Sequence, residues 1–395
     1  MTLSPLPACA PEDVGLSSAA LGRLAAALQD RIARGHLPGA VALVARHGKI
    51  GWFEAFGEQD PVSGAPMRAD SLFRIYSMTK PLVSVGTMML WEEGRLLLSD
   101  PIEKYLPALA QPRVGVIEGD TMRLVAANRS ITVQDLLRHT SGLTYEFRGT
   151  TLVHKAYTEA KIARLKQTNE DQVATLGKLP LLHQPGTRWE YSRSTDVLGR
   201  LIEVISGQTL GAFLAERICD PLGMTDTGFS VPEKHHGRVA EPFAKDPDTA
   251  MDVSLLDVKR TAVFESGGGG MVATAMDYAR FCAMLLNNGR LDGTRLLGRK
   301  TLELMTSDHL GAIPANPDLL PPGHGFGLGF AVRTQAGMAP FPGSVGNYYW
   351  SGAAGTSFWV DPAERLFAVL MIQAPVQREQ YRLLFRDLVY AAIAD

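Results

Sequence analysis

The sequence predicts an α/β fold of the α+β kind: a mixed, mainly antiparallel sheet flanked by helices, with a second, mostly helical domain. Three observations predict it. Strand-like runs occur near the start of the chain and again after Pro321-Pro322-Gly323. Between Leu97 and about Leu320 the apolar pattern is mostly helical. The last two strand-like runs are joined by Pro362-Ala363-Glu364-Arg365, a turn so short that its strands must be antiparallel neighbours.

In chain order, Ser17-Ser18 followed by AALGRLAAALQDRIARG reads as a capped amphipathic helix ending near Gly35. AVALVARHGKIGWFEAFGEQD reads as two strands joined around His47-Gly48. The extended piece SLFRIY runs directly into SMTKPLVSVGTMMLWEEGRL, which is helical and stops at Gly94. In the middle, ITVQDLLRH, the region from Tyr157 to Lys166, STDVLGRLIEVI, LGAFLAERI and TAMDYARFCAMLLNNG carry helical stripes. Towards the end, GFGLGFAV, GTSFWVD and RLFAVLMIQA read as sheet, and YRLLFRDLVYAAIA closes as a helix. The simplest packing joins residues 1–96 and 321–395 as one discontinuous domain, with 97–320 as the helical one. A cleft between them is the default site, and the Tyr145 to Lys166 segment is an insert placed to roof it.

At 395 residues, 46% apolar and 20% charged, the chain can bury a large core. A net charge of -2 gives no electrostatic footprint for nucleic acid or anionic lipid. No apolar run reaches the roughly 20 residues of a membrane span, and the first residues lack a basic start and apolar core, so a cytoplasmic location is expected. Cys9, Cys219 and Cys282 are scattered, which argues against a disulfide framework or structural zinc. Cys219 and Cys282 are expected on buried helix faces. His235-His236 has no third ligand at metal spacing, so no metal and no cofactor are expected.

Ser77-Met78-Thr79-Lys80 is the sharpest chemical signal. A serine hydroxyl needs a nearby base. On a helix, a lysine three residues later shares the serine's face, and burial lowers its pKa until it can take the proton. The helix start adds backbone N–H groups where an oxyanion forms. The bland alternative is a capping serine and an exposed lysine. S-x-x-K occurs by chance about once or twice in such a length, but no other serine here has lysine three residues on. This match also sits at a strand-to-helix junction, where a nucleophile belongs.

Tyr191 follows Pro185-Gly186 and precedes a helix. Beside an ammonium its pKa falls and it can shuttle protons; the alternative is a seam tyrosine bonded to backbone. Trp350-Ser351-Gly352 opens a strand, where small residues let substrate lie along the edge and the Ala353 N–H can serve as an oxyanion donor. A bulge is the plainer account. Gly267 to Gly270 matches no phosphate loop and reads as a flexible turn. His139 reads as a helix-end histidine rather than a base, and no G-x-S-x-G elbow occurs.

In this order and spacing, Ser77-Met78-Thr79-Lys80, Tyr191-Ser192-Arg193 and Trp350-Ser351-Gly352 resemble the serine β-lactamase and penicillin-binding-protein superfamily. Within its class C-like branch the chain is most similar to the family VIII carboxylesterases. FESGGGGMVATAMDYARF and WSGAAGTSFWVDP extend the resemblance over nearly the whole length. It implies a β-lactamase/transpeptidase-like fold and an acyl-enzyme on Ser77. It also implies Lys80 and Tyr191 as general base and acid, an oxyanion hole of the Ser77 and Ala353 N–H groups, and a substrate wall of Trp350, Ser351 and Gly352. Two departures matter. Arg193 stands where the lactamases have asparagine, and Trp350 where they have a cation. A β-lactam carboxylate loses its partner, although Arg193 can restore some charge, so a neutral short-acyl ester is the expected substrate. Acyl transfer to an alcohol, weak β-lactamase or D-amino-acid peptidase activity, and a non-catalytic binding module are the alternatives. The expected partner is a small-molecule ester; nothing speaks to the oligomeric state.

Overall fold

The computed structural model describes residues 6–395. Its centre is an eight-stranded, wholly antiparallel sheet. The strand order is His324–Phe326, Ala331–Arg333, Tyr348–Ser351, Ser357–Asp361, Leu366–Ile372, Gly39–Arg46, Lys49–Asp60 and Ala65–Pro66. Both ends of the chain thus meet in one sheet, with Ala40 opposite Ile372 and Arg46 opposite Leu366. Two residues in the left-handed region, His47 and Gly48, make the tight turn between Gly39–Arg46 and Lys49–Asp60. The Pro362 to Arg365 turn closes with the Arg365 N–H donating to the Pro362 carbonyl, and Asp361 caps it by accepting from the Ala363 and Glu364 N–H groups.

The central strands are buried at every position, and apolar at all but Arg46, because both faces are covered. Period-two alternation sends Val41, Leu43, Val369 and Met371 into one core and Ala42, Val44, Ala368 and Leu370 into the other. Helices Ser18–Ala33 and Arg378–Tyr390 cover the second face through Leu21, Leu24, Phe385 and Val389. Ser17 caps the first of these by accepting from the Ala20 N–H. On the first face lies helix Thr79–Glu92, buried from Thr79 to Leu90, with helices Ser194–Ser206 and Ala275–Leu286 beside it. Cys219 and Cys282 are buried as expected. No single helix among the described residues is long and apolar enough to cross a membrane.

Four elements differ from expectation. GFGLGFAV is not one strand but two short ones, His324–Phe326 and Ala331–Arg333, turned back on each other through Gly329 at φ 102°. The helix expected from Tyr157 to Lys166 runs instead from Leu152 to Glu159, and Lys161 at φ 50° ends the helical path. SLFRIY forms only the two-residue strand Phe73–Arg74, paired with Val272–Ala273. Within the helical middle, Arg113–Glu118 and Thr121–Ala126 form a hairpin that was not expected. Its mostly exposed faces leave little apolar contrast to read.

Candidate active site

Ser77 lies in a 3-10 turn, Tyr76–Met78, between strand Phe73–Arg74 and helix Thr79–Glu92. Tyr76 before it sits at φ 42°, a left-handed conformation rare outside glycine. Two contacts hold that strained residue: its hydroxyl accepts from the Leu256 N–H, and Gly269 packs against its backbone. Strain of this kind persists only when the surroundings over-determine it, and it clusters at functional sites.

Lys80 is one turn further on and 2% exposed. Its Nζ lies 3.3 Å from Ser77 Oγ, 3.0 Å from Tyr145 Oη and 2.5 Å from the Gly268 carbonyl. It also stands 4.5 Å from the Tyr191 ring centre. Desolvation penalises the ammonium and brings the pKa down to about 7. The Asp196 carboxylate opposes that fall and Arg193 assists it. The amine is therefore substantially neutral at physiological pH while hydrogen-bonded near a serine hydroxyl.

Tyr191 precedes helix Ser194–Ser206 and is buried at the cleft wall. Its ring meets His139, Tyr145, Trp189 and Trp350. Contrary to expectation, its pKa is raised and not lowered. Burial outweighs the neighbouring Ser77 hydroxyl and the Trp350 N–H, both of which favour the phenolate. Tyr191 is thus a neutral phenol, able to donate a hydrogen bond. Trp350 is more than an apolar wall, because its Nε1–H donates to Tyr191 Oη at 3.2 Å. His139 follows helix Val133–Leu137 and is buried, 3.3 Å from Ser192 Oγ; desolvation lowers its pKa and keeps it neutral.

Arg193 points away from the role of substrate cation. It pairs with Glu146 at 2.7 Å and Asp196 at 3.5 Å, and lies over the Tyr145 ring. The glycine run is a turn, as expected, closed by the Gly269 and Gly270 N–H groups donating to the Ser266 carbonyl, but it is packed on its neighbours. Asp196 accepts from the Gly268 N–H and the Ser266 hydroxyl, and a Cβ on Gly267 would come within 2.5 Å of the Thr195 carbonyl.

Trp350, Ser351, Gly352 and Ala353 line a cleft of about 450 Å³ together with Ser77 and Tyr191. The Tyr145 to Lys166 segment contributes Phe147 and Arg148 to its wall. Gly352 packs so closely on the Ile75 carbonyl that a Cβ would approach to 2.3 Å, which draws the Ala353 turn against the Ser77 turn. Among the described residues, neither the Ser77 nor the Ala353 N–H has a hydrogen-bond acceptor. Tyr145, Asp196 and the Gly268 carbonyl are the site groups that the sequence did not single out. Asp196 shares the run STDVLGRLIEVI with Arg200 and Glu203, so its charge gave no separate signal, and a carbonyl has no side-chain signature.

The β-lactamase family profile matches residues 24–391, almost the whole fold. The chain belongs to the β-lactamase family. Family membership extends to an esterase: EstB of Burkholderia gladioli is 32% identical over 96% of this chain and 98% of its own. Among solved structures, EstCE1, described as a hydrolase with promiscuous acyltransferase activity, superposes with a TM-score of 0.79 at 27% identity, covering 94% of this chain and 98% of its own. LovD of Aspergillus terreus, at 22% identity over 94% and 98%, shares the fold with the same TM-score.

Proposed function

We propose that this family member is a serine carboxylesterase working through an acyl-enzyme on Ser77. The observation that carries the reading is a buried lysine amine, depressed to a pKa of about 7, within 3.3 Å of a cleft-lining serine hydroxyl. Neutral Lys80 takes the Ser77 proton as Oγ bonds to the ester carbonyl carbon. The resulting oxyanion is met by the free Ser77 and Ala353 N–H groups. The bond to the alcohol oxygen then breaks. The proton held by Lys80 returns to that oxygen, with the Tyr191 hydroxyl as the donor touching it. Water repeats the sequence in reverse and releases the acid.

The substrate is a small neutral ester. Trp350 and Phe147 give the cleft apolar walls beside Ser77, its charged side chains Arg382 and Glu379 pair with each other, and Arg193 is neutralised by its two carboxylates. The cleft holds a short acyl chain with room for the alcohol. The test is pre-steady-state release of p-nitrophenol from p-nitrophenyl butanoate. A burst stoichiometric with enzyme is expected, with loss of turnover in Ser77→Ala; wild-type rates in that variant would sink the reading. Acyl transfer is the second reading, favoured by the likeness to EstCE1. If an acceptor alcohol competes with water for the acyl-enzyme, added alcohol yields new ester in proportion to its concentration; a purely hydrolytic product excludes it.

A further inference from the structure

Arg382 belongs to the C-terminal helix, far in sequence from every motif above. Its side chain is largely buried at 13% exposure, and it donates through Nη2 to the Gly352 carbonyl and, at 3.4 Å, to the Thr356 carbonyl. Nη1 pairs with Glu379. The Gly352 carbonyl also accepts from the Gly355 N–H at 3.0 Å, so both of its lone pairs are engaged, one by a cation. The nitrogen of that same amide is the Ala353 N–H. No peptide bond in the described residues is cis, so this N–H is directed opposite to the carbonyl that Arg382 holds. It has no acceptor of its own, and Ala353 lines the cleft beside Ser77.

A cation on an amide oxygen draws electron density from the nitrogen and strengthens the N–H as a donor, the cooperative polarisation expected of chained hydrogen bonds in a low-dielectric interior. We infer that Arg382 is a positioning residue of the oxyanion hole: its guanidinium fixes the 352–356 turn and polarises the Gly352–Ala353 amide toward the developing oxyanion. The inference rests on the Ser77 acyl-enzyme reading. It adds to that site a cation that borders the same cleft and acts on the oxyanion through the Gly352–Ala353 amide. The guanidinium stays protonated in this role, since burial lowers its pKa only to about 10.

A merely structural arginine would change stability alone, so the test reads the acyl carbonyl itself. An acyl-enzyme formed from a ¹³C-carbonyl-labelled p-nitrophenyl ester is captured by rapid mixing, and its ester stretch is recorded by isotope-edited infrared difference spectroscopy. In Arg382→Met the stretch is expected at higher wavenumber than in wild type, because the carbonyl is less polarised. Its kcat is expected to fall about tenfold, less than the roughly hundredfold or more that loss of a whole donor costs. KM should stay within about twofold, as for an interaction made mainly in the transition state. Arg382→Lys, which keeps the charge, should recover part of both effects. Wild-type stretch and kcat in folded Arg382→Met would overturn the inference. If that variant does not fold, Glu379→Gln replaces it: freeing the guanidinium from its carboxylate should lower the wavenumber, and an unchanged or higher value overturns the role. Labelling of Ser77 by a fluorophosphonate separates the two levels. A band that does not move on a labelled serine removes Arg382 alone, whereas a serine that takes no label removes the acyl-enzyme reading and this inference with it.

Discussion

At neutral pH an exposed lysine is an ammonium and takes no proton from a serine. Lys80 escapes this because helix Thr79–Glu92 buries it among Tyr145, Tyr191 and the Gly268 carbonyl. Its folded pKa of about 7 sets the sign of the pH dependence. Below that value the base is protonated and kcat/KM should fall about tenfold per pH unit; above it the rate should level off. Asp196 raises this pKa, so Asp196→Asn should move the acid limb toward lower pH by about one unit. A profile that stays in place, or moves upward, would refute the assignment of Lys80 as the titrating base. Tyr191→Phe should cost about a hundredfold or more in kcat, the usual worth of a positioned acid or base. Trp350→Phe keeps the apolar wall but removes one hydrogen bond to Tyr191 Oη. About 1 kcal/mol, or roughly fivefold in kcat, is expected there.

Two elements hold these side chains in register. The strained turn at Tyr76 brings Ser77 out of strand Phe73–Arg74 and into the cleft. Gly267 and Gly268 pack closely against the start of helix Ser194–Ser206, through the Thr195 carbonyl and the Asp196 carboxylate. In Gly268→Ala the new Cβ would lie 2.9 Å from the Asp196 carboxylate and 3.0 Å from Tyr145 Oη. Those are side-chain neighbours that can yield, but the carbonyl holding Lys80 must shift with them. Activity should therefore fall by about tenfold or more while stability changes little. Gly267→Ala meets backbone at 2.5 Å and cannot relax that way. It should destabilise the fold by about 1 to 3 kcal/mol, as overpacking does. Paired urea titrations and kcat measurements distinguish the two outcomes.

Across the whole molecule, the first and last thirds of the chain share one sheet, and the C-terminal helix seals its second core. Phe385 is fully buried there, edge-to-face with Trp359. Phe385→Ala should cost about 3 to 5 kcal/mol. Because strand Leu366–Ile372 lies between Gly39–Arg46 and Ser357–Asp361, loss of that helix should unfold both ends together. Backbone circular dichroism and tryptophan fluorescence should then report coincident urea transitions. Separate transitions would show that the two ends fold independently.

The central strands, the main helices and the Ser77/Lys80 spacing were legible in the sequence because each has a local cause, whereas Tyr191 and Trp350 were singled out by the resemblance to a known family. Periodicity of two or 3.6 follows from which face is buried, and S-x-x-K spacing places two side chains on one helical turn. The exposed hairpin Arg113–Ala126 was not legible, since solvent on most of its surface removes the apolar contrast. The broken run GFGLGFAV was not legible either, because its turn depends on a glycine conformation at Gly329 and not on hydrophobicity. The tertiary structure alone decided the electrostatics. Depth of burial sends the pKa of Lys80 down and that of Tyr191 up, and Glu146 and Asp196 absorb the charge of Arg193. Long-range contact likewise brings Gly268, Tyr145 and Arg382 to the site. The sequence alone determined which reactive residues the chain carries. Folding decided their protonation, because a pKa depends on what surrounds a group in space and not on its neighbours along the chain.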